Sequence, residues 1–188
     1  MGRVLLASGS SQASELLSQL LKSAGYMNVI TTSSGNEARR LVNQNDFELI
    51  VINTPLSDEF GHELSMMVAE NTNAGIIVVC KADIADDLYD KVSYYGVCVL
   101  PKPLNKSLFF QSLKIVSATQ SRIMGLRNEN FKLQSKIEEI RLVNRAKCVL
   151  IQYLKLTEPQ AHRYIEKQAM DTRQTKKDVA EKILKTYE

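Results

Sequence analysis

Short apolar runs alternate with helical spacing through roughly the first 120 residues. RVLLAS (3–8), NVITTS (28–33), ELIVIN (48–53), GIIVVC (75–80) and VCVL (97–100) read as strands. Between them, Leu16, Leu17, Leu20 and Leu21 recur on one helical face ahead of Gly25, and Ala38, Leu41 and Val42 mark a second helix behind Ser34 and Gly35. Leu64, Met67 and Val68 mark a third helix, and a fourth runs from Ile84 to Tyr95, where Gly96 stops it. Pro101 and Pro103 end the fifth strand. Strands that are apolar almost throughout, separated by helices, describe a parallel sheet covered on both faces. Five such units predict an α/β, flavodoxin-like doubly wound domain, whose chemistry lies beyond the carboxyl ends of the strands. Those ends are Ser8-Gly9, Asn53, Cys80 and Lys102.

From Asn105 to Leu154 the chain has no proline and one glycine, Gly125, which predicts a long helix. A heptad count puts Val116, Ile123, Asn130, Ile137 and Asn144 at a, and Thr119, Leu126, Leu133, Ile140 and Lys147 at d. An apolar seam interrupted by Asn130 at an a position favours a defined register, commonly a parallel dimer. The predicted dimer seam is Ile123, Leu126, Asn130, Leu133, Ile137 and Ile140. The flanking pairs Arg122 with Arg127 and Lys136 with Arg141 carry like charges, so pairing rests on the seam alone. The other reading of these positions is packing on the chain's own sheet domain.

Beyond the long helix, Thr157 and Gln160 form a capping box with Pro159 in the first turn, and Thr175 with Asp178 opens another helix. Ala161, Tyr164, Ile165, Gln168 and Ala169 share one face of the former. Val179, Ala180, Ile183, Leu184 and Tyr187 share one face of the latter. With the end of the long helix they predict a small three-helix bundle, leaving Arg163, Lys167, Arg173, Lys176, Lys177, Lys182 and Lys185 outside. By spacing, Tyr164 reads either as core or as a stacking platform.

Charge sharpens this division. The 188 residues carry a net +3, yet residues 1–103 hold 7 Lys/Arg against 12 Asp/Glu, and residues 141–188 hold 11 against 6. An acidic front and a basic tail make the tail the candidate for a polyanion partner. Cys80, Cys98 and Cys148 are odd in number, lack metal-ligand spacing and sit among apolar residues. Plain buried thiols in a reducing cytoplasm are expected, with no disulfide framework and no metal. No window is long and apolar enough for a membrane span, and MGRVLLASGS lacks the apolar core of a secretion signal. No cofactor is expected either.

Residues 3–118 resemble the receiver domain of bacterial response regulators, on the Asn53-to-Gly61 spacing, the small apolar end of the fourth strand and Lys102-Pro103. That family places an acidic pair after strand one, a phosphorylated aspartate after strand three and a hydroxyl after strand four. Here Ser8-Gly9, Asn53 and Cys80 occupy those positions. Magnesium favours hard, anionic oxygen ligands, and an amide cannot attack phosphorus as a carboxylate does. The resemblance therefore implies a degenerate receiver that takes no phosphate. Lys102 is either a surface lysine held by Pro103 or a bridge between polar groups of the pocket.

Residues 135–188 resemble the ANTAR domain, the RNA-binding output module of transcription antiterminators. The match rests on Ala161, Ala169-Met170-Asp171, the polar link 172–175, Val179-Ala180 and Ile183-Leu184. The expected organisation is a receiver-like domain over 1–118, a coiled-coil linker over 119–147, and a helical domain over 135–188 that shares the end of the long helix. The resemblance implies a protein that binds hairpins in leader mRNA; the heptad seam adds a homodimer, and the missing phosphoacceptor adds control by a regulatory protein or small ligand in a chain expected to be no enzyme. Arg163, Arg173 and Tyr164 are candidates for stacking or bidentate contacts, and Lys167, Lys176 and Lys177 for phosphates. Competing readings are a DNA-binding regulator and a signalling scaffold without a nucleic-acid role.

Overall fold

The computed structural model describes residues 2–187. The chain runs β1 (Val4–Ser8), α1 (Ser11–Ser23), β2 (Val29–Thr32), α2 (Gly35–Gln44), β3 (Leu49–Asn53), α3 (His62–Asn71), β4 (Gly75–Lys81), α4 (Ala85–Val92), β5 (Cys98–Lys102), α5 (Lys106–Leu154), α6 (Glu158–Thr172) and α7 (Lys176–Tyr187). It divides into two compact units, residues 1–124 and 125–188.

In the first unit all five strands are parallel, in the order β2-β1-β3-β4-β5. Successive side chains of a strand point to opposite faces, so each central strand feeds two cores. Leu5, Ala7, Ile50, Ile52, Val78 and Cys80 pack with Ala38, Val42, Leu64, Val68, Leu88 and Val92 from α2, α3 and α4. Val4, Leu6, Leu49, Val51, Ile77 and Val79 pack with Leu17, Leu20 and Leu21 of α1 and with Phe109 and Leu113 of α5. The central residues of both cores, Leu5, Leu6, Ile50 and Phe109 among them, are wholly buried. This is the predicted doubly wound sheet.

Local signals set the helix starts. Ser10 and Ser34 accept hydrogen bonds from the amides of Ala13 and Glu37, and Asn105 Oδ1 accepts from the amides of Ser107 and Leu108. Gly61 opens α3 at φ 107°, and a Cβ there would lie 3.0 Å from the Ile52 side chain. Only glycine meets both demands without strain.

Three expectations are corrected. Leu16 is 48% exposed, because the sheet takes the narrower stripe Leu17, Leu20 and Leu21. The helix expected over Ile84–Tyr95 is α4 bracketed by single 3-10 turns at Ala82–Ile84 and Ser93–Tyr95. The fifth strand continues through Pro101 to Lys102, since β5 lies at the sheet edge, where a missing amide donor is tolerated.

In the second unit, Val143, Ala146, Val149 and Leu150 of α5 meet Ala161, Ile165 and Ala169 of α6 and Val179, Ala180, Ile183 and Leu184 of α7. The capping boxes at Thr157/Gln160 and Thr175/Asp178 both form. Between the sheet core and this bundle core, every residue of α5 from 121 to 138 is exposed, including Ile123, Leu126, Leu133 and Ile137 at 45–59%. Of the cysteines, Cys80 is buried, Cys98 half-buried and Cys148 exposed, so the expectation of buried thiols fails at Cys148, which lies on the outer side of α5.

Candidate functional site

Two regions carry polar chemistry. The first lies at the carboxyl ends of β1, β3 and β5. The parallel register sets Ser8 opposite Asn53, and both side chains are almost fully buried, at 3% exposure each. Asn53 Nδ2 donates to Ser8 Oγ at 2.9 Å, and Ser8 Oγ in turn donates to the Ser10 carbonyl at 3.0 Å. The two buried side chains are thus partners of one another. Lys102 Nζ crosses from β5 and donates to the Thr54 main-chain carbonyl at 2.6 Å. Burial pulls the Lys102 ammonium below the usual lysine range and pushes the Cys80 thiol up, while the neighbouring Lys102 charge pulls that thiol back down.

Gly9 is exposed, but the direction a side chain would take there is blocked. A Cβ on Gly9 would lie 2.6 Å from the Pro55 carbonyl oxygen and 3.0 Å from the Leu56 carbonyl carbon. These are backbone atoms, so position 9 has no room for a side chain while the loop after β3 keeps this path. The donor set is one hydroxyl and one amide, with no carboxylate, and it does not fit a magnesium ion. Among the described residues there is no group of three or more His, Cys, Asp or Glu that could hold a metal.

That loop is fixed from its far side. Asp58 accepts from the amides of Gly35 and Asn36 at 2.7 and 3.0 Å and from Ser34 Oγ at 2.7 Å. A carboxylate on the first amides of α2 is favoured by unpaired N–H groups and by the helix dipole. Hydrogen bonds from Asn36, then Ser34, then Gly35 lower the Asp58 carboxyl to about 2. Arg39 pairs with Glu59 at 2.7 Å, and the Ser57 amide donates to the Ser33 carbonyl at 2.9 Å. Thr54, Asp58, Glu59 and Arg39 escaped the sequence reading. The Asp-Glu pair in a loop just past a buried strand is the one signal that could have flagged them.

The second region is the surface of the helical unit. Arg163, Lys167 and Met170 follow one another at i, i+4 and i+7 on the outer side of α6, opposite the buried Ala161, Ile165 and Ala169. Met170 is 79% exposed, a solvent-facing apolar side chain, and Tyr164 is 40% exposed. The side chains of Arg163, Lys167 and Arg173 have no hydrogen-bond or ion-pair partner among the described residues. Arg173 caps α6 with φ 52°, a left-handed conformation uncommon outside glycine and asparagine.

Lys176 and Lys177 differ. Lys176 Nζ binds Glu166 at 2.6 Å, and Lys177 Nζ binds Glu138 of α5 at 3.2 Å. The hydrogen bond and charge of Lys176 hold the Glu166 carboxyl below the usual glutamate range. The structure therefore separates five cations that the sequence grouped: three are free and two are held by carboxylates from other helices. No described helix is long and apolar enough to cross a membrane.

Comparison with known proteins covers both regions. The family model of the response regulator receiver domain matches residues 4–114, and that of the ANTAR domain matches residues 132–184. The transcriptional regulatory protein PdtaR of Mycobacterium tuberculosis, in strains CDC 1551/Oshkosh and ATCC 25618/H37Rv, is 29% identical over 185 residues, covering 98% of this chain and 90% of its own. Among solved structures, the receiver domain of an HD domain-containing protein from Pseudomonas fluorescens Pf-5 superposes with TM-score 0.58 at 18% identity, over 65% of this chain and 91% of its own. A receiver domain protein from Clostridium thermocellum gives 0.59 at 15% identity, over 65% and 99%.

Proposed function

The chain belongs to the response regulator receiver family and carries a C-terminal ANTAR domain, and from that premise we propose that it is an RNA-binding transcription antitermination regulator. It binds hairpins in nascent leader mRNA as a dimer, and a protein partner or small ligand controls it without phosphorylation. The observation that carries the RNA reading is the free cationic stripe of Arg163 and Lys167, with Arg173 at the end of the same helix, on the unit that matches the ANTAR family. Guanidinium groups stack on unpaired bases and bridge phosphates, and lysines neutralise phosphates along a stem.

Control without phosphate rests on the hydrogen-bonded Asn53–Ser8 pair and on position 9, which has no space for a side chain. No nucleophilic carboxylate stands at the end of β3, and Lys102 is already engaged by Thr54. Dimerisation rests on the exposed seam of Ile123, Leu126, Asn130, Leu133, Ile137 and Ile140, in which an apolar helical stripe meets water for two and a half heptads. Pairing two copies covers that stripe and brings two RNA-binding units onto one transcript, where the second hairpin binds at raised effective concentration.

Titration of the full chain against a two-hairpin leader RNA and a matched DNA duplex tests the reading. Preferential RNA binding is expected; equal or tighter DNA binding overturns it. Incubation with acetyl phosphate and magnesium is expected to leave the protein unmodified, and a stable phosphoprotein that depends on residue 53 would refute control without phosphate.

A further inference from the structure

A cleft of about 700 Å³ opens on the helical unit between α5, the end of α6 and the start of α7. Its walls carry three lysines, Lys136, Lys176 and Lys177, and each is bound to a carboxylate: Glu139 at 2.8 Å, Glu166 at 2.6 Å and Glu138 at 3.2 Å. The first pair is local to one helix. The other two are not, since Glu166 lies ten residues and Glu138 thirty-nine residues from its lysine. The exposed Met170 borders the same cleft.

We infer that this cleft seats the RNA backbone and that Glu138 and Glu166 are placeholders for two of its phosphates. The inference rests on the RNA-binding reading above and deepens it. A carboxylate and a phosphate offer an ammonium the same kind of anionic oxygen at the same distance. A strand entering the cleft exchanges Glu166 for phosphate on Lys176 and Glu138 for phosphate on Lys177; Glu138 then turns to water, and Glu166 keeps its contact with His162 at 3.2 Å. The pairs hold the two ammonium groups in position beforehand and oppose casual contact with any polyanion. Arg163, Lys167 and Arg173 meet no such opposition and make the first encounter. Glu138 and Glu166 thereby set specificity: a ligand that grips only the two lysines gains little from the exchange, whereas one that also engages the rest of the unit displaces them.

The exchange has a signature in salt. Neutralising a phosphate releases counterions, so affinity falls with salt in proportion to the contacts made. In the native protein each freed carboxylate recruits a cation, which cancels part of that release. The variant Glu138→Gln/Glu166→Gln has nothing to free.

The experiment is fluorescence-anisotropy titration of the full chain with a labelled two-hairpin RNA and a matched DNA duplex, at several salt concentrations, with thermal melting of each variant. Glu138→Gln/Glu166→Gln is expected to bind RNA about 2- to 30-fold tighter at low salt, the range for two exposed ion pairs. Its log–log salt slope should be steeper by about 1 to 2, and duplex DNA should gain at least as much as RNA. Lys176→Ala/Lys177→Ala is expected to weaken RNA binding and flatten the slope. If the glutamines lower the melting temperature but leave affinity and slope unchanged, the carboxylates are structural and the inference fails. If the lysine variant binds RNA like the native protein, the cleft is not the seat, while the RNA-binding reading stands. Failure of the native chain to bind RNA at all would remove both.

Discussion

The sheet unit and the helical unit treat their polar side chains in opposite ways. At the carboxyl end of the sheet, Asn53, Ser8 and Lys102 each hydrogen-bond a neighbour, and a side chain at Gly9 would strike the loop after β3. On the helical unit, Arg163, Lys167 and Arg173 stand free in water. Closed polar groups gain little from a new ligand, because every hydrogen bond offered replaces one already made. Free cations beside exposed apolar groups have everything to gain. The contrast locates responsiveness in the half of the molecule that was not built around a catalytic pocket. Even the glycines differ: a Cβ on Gly9 would strike backbone, while one on Gly125 would meet open space.

The largest effect should come from the bundle core. Ile165 is wholly buried, and Ile165→Ala is expected to destabilise the helical unit by about 2–5 kcal/mol, read as an early transition in urea melting while the sheet transition holds. RNA binding should vanish with that early transition.

Next comes the carboxyl end of the sheet. Gly9→Ala forces a methyl onto the Pro55 carbonyl and should cost about 1–3 kcal/mol, checked by the same melting on the sheet transition. Asn53→Asp alone should still accept no phosphate from acetyl phosphate, since Ser8 and Gly9 offer magnesium no carboxylate; a phosphorylated Asn53→Asp protein would break the contrast between the two units. Ser8→Ala leaves the buried Asn53 amide without its acceptor and should cost about 1–3 kcal/mol.

Acid should loosen the loop after β3. The Asp58 carboxyl lies at about 2 in the folded chain, below its ordinary value of 3.8. Its contribution is therefore complete above roughly pH 4 and is lost as pH falls through about 2. Asp58→Asn should remove that acid-dependent component, measured as the change in unfolding midpoint between pH 6 and pH 2.5. The smallest effect is Gly125→Ala, which should stabilise the exposed helix by about 0.5–1 kcal/mol, and circular dichroism should show a higher melting temperature.

Much of the fold was legible because it rests on short-range signals. The five apolar runs, the serine caps and both capping boxes lie within a few residues of what they control. Leu16 was misjudged because four leucines make a stripe wider than the sheet can cover. Pro101 was misjudged because only strand order makes β5 an edge, and Cys148 because apolar neighbours in sequence are not neighbours on a helix.

The sequence by itself determined the chemistry available at the end of β3, an amide in place of a carboxylate, and the cationic composition of the tail. It also determined the periodicities that separate sheet from bundle. Only the tertiary structure decided which of these groups are spoken for. Gly9 meets Pro55, Thr54 meets Lys102 and Glu138 meets Lys177 across long stretches of chain. A side chain's local sequence states what it can bind; whether it is already bound depends on partners that parallel crossovers and helix packing bring from far away.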